Sequence, residues 1–151
     1  MTKAIKLLTA LPHHQRERLM TLSREVYFPE DTRIFQSGGH ADRFWVIRSG
    51  AVSLDQRLNE VQRITVAGLG AGDLLGWSWL FPPYEWDFGA EAFSPVRAYE
   101  FDAATVLRLC EADTALGLSL VRCVAEVLAH RLEATRGQLM EQYAMRRGGV
   151  L

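Results

Sequence analysis

The chain has 151 residues and a net charge of -1, with 48% hydrophobic and 23% charged residues. That length suits one domain, and that balance excludes a mainly disordered chain. A pI near 6.4 excludes a chain-wide basic field for nucleic acid or an anionic membrane.

Residues 1–24 read as N-terminal helices. A short one is expected at Lys3–Leu8, and a second opens at Leu11-Pro12 and reaches about Leu22. Leu11, Leu19 and Leu22 share its apolar face, while His13, Gln15, Arg16 and Arg18 are expected to face water. From residue 25 to residue 101 the texture changes to short apolar or alternating segments: 26–28, 33–35, 44–47, 51–54, 64–66, 74–75, 88–93 and 96–101. Pro29-Glu-Asp, Ser37-Gly-Gly, Ser49-Gly50, Gly70-Ala-Gly-Asp73 and Ser94-Pro95 punctuate them. Strands at this spacing, with no helical pattern between them, predict an antiparallel β-roll or jelly roll.

Residues 102–143 read as helices again. Asp102 is placed to cap a short helix over 103–111, and Asp113 a long one over about 114–143. Along the long helix Val121, Ala125, Leu128, Leu132, Thr135 and Leu139 alternate spacings of four and three, a coiled-coil-like seam that predicts a homodimer. Leu120, Val124 and Val127 form a second apolar line, expected against the β-roll. Residues 144–151 read as a tail, and the whole as a single domain, mainly β with flanking helices.

No apolar run reaches the ~20 residues that span a bilayer, and the N-terminus lacks a secretory pattern. Cys110 and Cys123 stand in no metal or redox spacing, which suits a cytoplasmic protein. In Gly68-Leu-Gly70-Ala-Gly72-Asp73 the third glycine falls too early for a dinucleotide loop, so a turn is expected. The scattered histidines make no metal set, and Ser78 and Ser94 lack an evident base and acid; neither metal nor catalytic residues are assigned.

The element order, together with three stretches, resembles the cyclic-nucleotide-binding domain of the catabolite-activator (CRP/FNR) family. Phe44-Trp-Val-Ile-Arg-Ser-Gly50-Ala-Val-Ser-Leu resembles its paired strands, and Gly72-Asp73-Leu-Leu-Gly76 the approach to its phosphate cassette. Ala129-His-Arg131-Leu-Glu-Ala-Thr135 resembles the part of its long helix that supplies an arginine and a base-contacting threonine. The likeness covers roughly residues 11–143. It implies a regulatory, non-enzymatic sensor that binds a small effector and signals through its long helix to a partner protein. In that family a helix-turn-helix domain follows the long helix; only eight residues follow Tyr143 here, so sequence-specific DNA binding is not expected.

The cassette departs from the family pattern. There a glutamate after the first glycine takes the ribose hydroxyl, and an arginine further on pairs with the cyclic phosphate. The matching stretch here is Gly76-Trp77-Ser78-Trp79-Leu80-Phe81, then Asp87-Phe88-Gly89-Ala90, so the positions hold Trp77 and Asp87. From Asp73 to Glu91 there are four acids and no lysine or arginine. A carboxylate ~4 Å from a phosphate repels it by ~4 kcal/mol at an effective dielectric of 20. The lost arginine removes a further ~1.5–3 kcal/mol. At ~1.4 kcal/mol per decade, these disfavour cAMP or cGMP in the family's usual pose by three or more powers of ten. No cofactor is assigned.

The residues expected to line an effector pocket are Gly76, Trp77, Ser78, Asp87, Phe88 and Gly89, with Arg131 and Thr135 from the helix. Arg131 is as readily a helix-surface salt bridge as a ligand contact. Six of the chain's fifteen aromatic residues crowd positions 77–88. They fit a plug that fills the pocket as core, a docking surface centred on Trp79, Tyr84 and Trp86, or a cage for a flat neutral or cationic ligand. Two functions follow: a sensor with an altered effector, or a ligand-free dimerisation and docking module whose Trp77 and Trp79 fill the nucleotide's place. A third, a true cAMP or cGMP binder, needs Arg131 and Thr135 to replace the cassette.

Overall fold

A computed structural model describes residues 6–148. Helices α1 (Leu7–Ala10) and α2 (His13–Met20) precede eight strands. These are β1 (Arg24–Phe28), β2 (Arg33–Phe35), β3 (Arg43–Ser49), β4 (Val52–Arg57), β5 (Arg63–Leu69), β6 (Leu74–Leu75), β7 (Gly89–Ala92) and β8 (Val96–Asp102). Helices α3 (Ala103–Ala112) and α4 (Thr114–Gly148) complete the described chain. The strands form two antiparallel sheets, ordered β1-β8-β3-β6 and β2-β7-β4-β5; the antiparallel roll is the one that the spacing of apolar segments predicts.

Strand alternation gives β3 and β8 two buried faces. Phe44 and Phe101 are paired across the strands and stack at 4.7 Å; Trp79, from the 3-10 turn Ser78–Leu80, stacks on Phe44 at 4.6 Å. Trp45 points the other way, toward the second sheet, where Phe35 lies 5.7 Å from it in a near-parallel stack. One face therefore makes an outer aromatic core near α3, and the other the interior of the roll.

Both predicted caps form. The Asp102 carboxylate accepts from the Thr105 backbone N–H at 3.0 Å and its hydroxyl at 2.7 Å, and Asp113 accepts from the Leu116 N–H at 3.1 Å. Two hydrogen bonds to the charged form hold the Asp102 carboxyl below its ordinary pKa. On α4, Leu120, Val124 and Val127 are buried against the domain, whereas Val121, Ala125, Leu132 and Leu139 are exposed.

Three expectations need correction. The long helix does not stop at residue 143 but runs to Gly148, because nothing between Tyr143 and Gly148 breaks it; residues 149–151 lie outside the described chain. The first helix, expected to end at Leu8, spans Leu7–Ala10 after an extended Lys6, and the part expected over residues 3–5 lies outside the described residues. Gln15 is buried, not solvated, because it falls between Leu11 and Leu19 at four-residue spacing on the same face; its Oε1 has no hydrogen-bond partner among the described residues.

Candidate effector cavity

The β4–β5 hairpin and the middle of α4 diverge enough to leave a cavity of about 600 Å³, within the range of small-molecule sites. Leu54, Val66 and Leu69 line the sheet side, and Val127, Leu128, Arg131 and Thr135 the helix side. Trp77, Asp87 and Phe88 close one end. Of the residues expected in a pocket, Trp77, Asp87, Phe88, Arg131 and Thr135 thus come together although up to 58 positions separate them.

Gly76 and Ser78 line a narrow cleft beside the cavity, with Trp77, Asp87, Phe88 and Arg131, and its volume is only about 20 Å³. The indole of Trp86 is what narrows it. That ring lies 4.0 Å from Phe35 in a stack, and a Cβ added to Gly76 would sit 2.9 Å from its edge. Gly76 has φ +94°, so glycine is required here on both backbone and steric grounds.

Gly89 lines neither space. It is buried beneath the Arg33–Asp55 ion pair (2.7 Å), where a Cβ would meet Asp55 Oδ1 at 2.5 Å and Arg33 Nη1 at 2.6 Å. The absence of a side chain at 89 makes room for a structural ion pair, not for a ligand.

Trp79 and Trp86 are also displaced from the expected docking surface. They are only 2% and 6% exposed, because their rings complete the two aromatic cores; the Trp79 indole N–H is satisfied by the Gly76 carbonyl at 3.1 Å. Tyr84 is exposed, joined by Phe81, another of the six crowded aromatic residues. Of the rings expected to fill a nucleotide's place in a ligand-free module, Trp79 is in the outer core and Trp77 is half-buried at the cavity's end, 6.3 Å from Phe81. The cavity stays open between them and α4.

The electrostatics divide by position. The Asp73 carboxylate is shared: Lys6 Nζ lies 2.8 Å from Oδ1, and the Gly70 N–H donates to Oδ2 at 2.8 Å. Arg131 donates to the Leu74 carbonyl, tying α4 to β6. Burial pushes the guanidinium pKa down, and the nearby Asp73 charge opposes that shift. The Thr135 hydroxyl donates to the Arg131 carbonyl at 2.9 Å, within the helix. Asp87 is exposed, and its carboxylate has no hydrogen-bond or ion-pair partner among the described residues; the Ser37 and Ser78 hydroxyls instead engage its backbone, at 3.3 and 3.4 Å.

Several cavity residues escaped the sequence reading, among them Leu54, Val66, Asp73 and Gln138. Gln138 continues the helix face of Arg131 and Thr135 at spacings of four and three, a signal that was available. The β4 and β5 residues carried none, since which side of a hairpin meets a distant helix is set by tertiary packing.

Comparison with known proteins agrees with this architecture. A protein from Geobacter metallireducens GS-15, described as cyclic-nucleotide-binding, is 28% identical over 85% of this chain and 92% of its own, with a TM-score of 0.73. A cyclic nucleotide-binding domain from Methylobacillus flagellatus KT superposes with a TM-score of 0.82 at 15% identity, over 91% of this chain and 82% of that one. The catabolite activator protein of Thermus thermophilus gives 0.75 at 22% identity, and 91% of this chain covers 63% of it. A search of curated proteins gives no match. The family model for the cyclic nucleotide-binding domain matches residues 25–113, more than half of the chain, from β1 through α3. By fold and by sequence, the chain belongs to the cyclic nucleotide-binding domain family.

Proposed function

We propose that this domain is a regulatory sensor whose cavity takes a small effector, but not a cyclic nucleotide in the family's usual pose, and that occupancy is passed to a partner protein through α4. The observation that carries this reading is Asp87: an unpaired carboxylate stands at the cassette position where a phosphate-binding relative has an arginine. The narrowed cleft beside Gly76 and Ser78 adds to it, since about 20 Å³ leaves room for little more than a water. The open cavity weighs against a ligand-free module. Because α4 forms one wall and Arg131 fastens it to β6, a ligand that displaces Arg131 from Leu74 shifts that helix.

The domain works as a homodimer in this reading. Val121, Leu132 and Leu139 of the expected seam are exposed along α4, with Met140 and Tyr143 beyond. Leu139→Glu, outside the cavity, is expected to lower the sedimentation mass from dimer to monomer with the fold retained; an unchanged dimer refutes the seam.

Calorimetric titration with cAMP and cGMP tests the effector reading. No binding is expected at micromolar concentration, and micromolar binding of either contradicts it. One observation favours the rescue alternative: Arg131 lines the cleft together with Gly76 and Ser78. Binding that Arg131→Gln abolishes would establish that alternative instead.

A further inference from the structure

We infer that the cavity between β4–β5 and α4 takes an amphiphile with an aromatic body and a cationic head, with Asp87 as counter-ion and Trp77 as ring partner. This rests on the reading that the site does not hold a cyclic phosphate, and goes beyond it by naming the ligand's chemistry.

The walls set the body of the ligand. Leu54, Val66 and Leu69 face Val127, Leu128 and Leu132 across about 600 Å³, a space that suits a compact ring system better than a heavily hydrated polyol.

The charges set the head. Three ionised side chains line the cavity: Asp73, Asp87 and Arg131. Asp73 has Lys6 at 2.8 Å and the Gly70 N–H at 2.8 Å, while Arg131 is engaged by the Leu74 carbonyl and has Asp73 as its charged neighbour. These two therefore belong to one network, Lys6–Asp73–Arg131, that ties the N-terminal segment, β6 and α4 together. Asp87 stands outside it with no partner for its carboxylate among the described residues. Its backbone is held from both sides by Ser37 and Ser78, while its exposed carboxylate makes no ion pair with the described residues.

Trp77 and Phe88 line the same cavity as Asp87. A cavity lined by a carboxylate, an indole and a phenyl ring favours a cation twice, by ion pairing and through the negative faces of the rings. An anionic head at the same place meets repulsion from Asp87 and gains nothing from the rings.

The full chain is titrated calorimetrically with benzyltrimethylammonium, 2-phenylethanol and phenylacetate, which share the ring and differ in charge. The ammonium is expected to bind at least about tenfold more tightly than phenylacetate. Asp87→Asn, at an exposed position, is expected to erase that preference while leaving 2-phenylethanol affinity within about twofold. Trp77→Leu is expected to weaken the ammonium more than the alcohol. Tighter phenylacetate binding, a cation preference that survives Asp87→Asn, or no ammonium binding up to about 10 mM overturns the inference. A parallel titration with cAMP separates the two levels: micromolar cAMP binding defeats the underlying reading, whereas anion preference without cAMP binding defeats only this one.

Discussion

The stretch 76–90 has an inner and an outer set of side chains, and their fates differ. Trp79 and Trp86 turn inward and become the third ring of one aromatic core and the neighbour of Phe35 and Trp45 in the other. Trp77, Tyr84 and Asp87 stay partly or wholly exposed, two of them at the cavity. The same composition thus does two jobs. In the proposed reading, Trp86 fills what a nucleotide-binding cassette would leave open next to Gly76, Trp79 anchors the loop on Phe44, and the outer set gives the adjoining cavity its chemical character.

The largest effect that sharpens the comparison is on stability. Trp79→Ala removes a ring that is 2% exposed and stacked on Phe44, so a loss of about 3–5 kcal/mol is expected in urea unfolding. Trp77→Ala, half-buried, should cost under about 2 kcal/mol because much of its surface already faces water. Equal losses would erase the distinction between inner and outer rings. Gly89→Ala tests the inner side without touching a ring: its Cβ forces apart Arg33 and Asp55, and a loss of about 1–3 kcal/mol is expected with no dependence on added ligand.

A smaller effect lies at the α3 cap, away from the cassette. Asp102→Ala should cost about 1 kcal/mol at neutral pH. The Asp102 pKa is lowered in the folded state by the Thr105 hydrogen bonds, so its contribution is present above the unfolded-chain carboxylate pKa and is lost as pH falls through the folded one. Thermal melts of wild type and Asp102→Ala should therefore converge in acid; a gap that widens there contradicts the assigned sign.

Much of the architecture is legible before any coordinates. Asp102 and Asp113 announce their helices because capping is a local hydrogen-bond demand, and the eight strands follow from alternation punctuated by glycine and proline. The two faces of α4 follow from helical spacing. The cavity is legible only in part. Trp77, Asp87 and Arg131 stand at positions that a family pattern marks, but the inward turn of Trp86 depends on the Phe35 and Trp45 rings, which reach it from strands some forty to fifty residues earlier. Gly89 looks like a ligand contact from its place in the cassette and proves to be room for an ion pair, because only the β4–β7 register brings Asp55 opposite it. Gln15 differs: its four-residue spacing from Leu11 and Leu19 is a local sign of burial, which its polar side chain masks.

The central claim is that Asp87 and the filled cleft keep a cyclic phosphate out of the cassette. Nitrogen-15 chemical-shift mapping of the wild-type chain with cAMP tests it at the residues concerned. The account predicts no saturable shift of the Gly76, Trp77, Ser78, Phe88 and Gly89 amides. Saturable shifts at those amides with micromolar midpoints would contradict it.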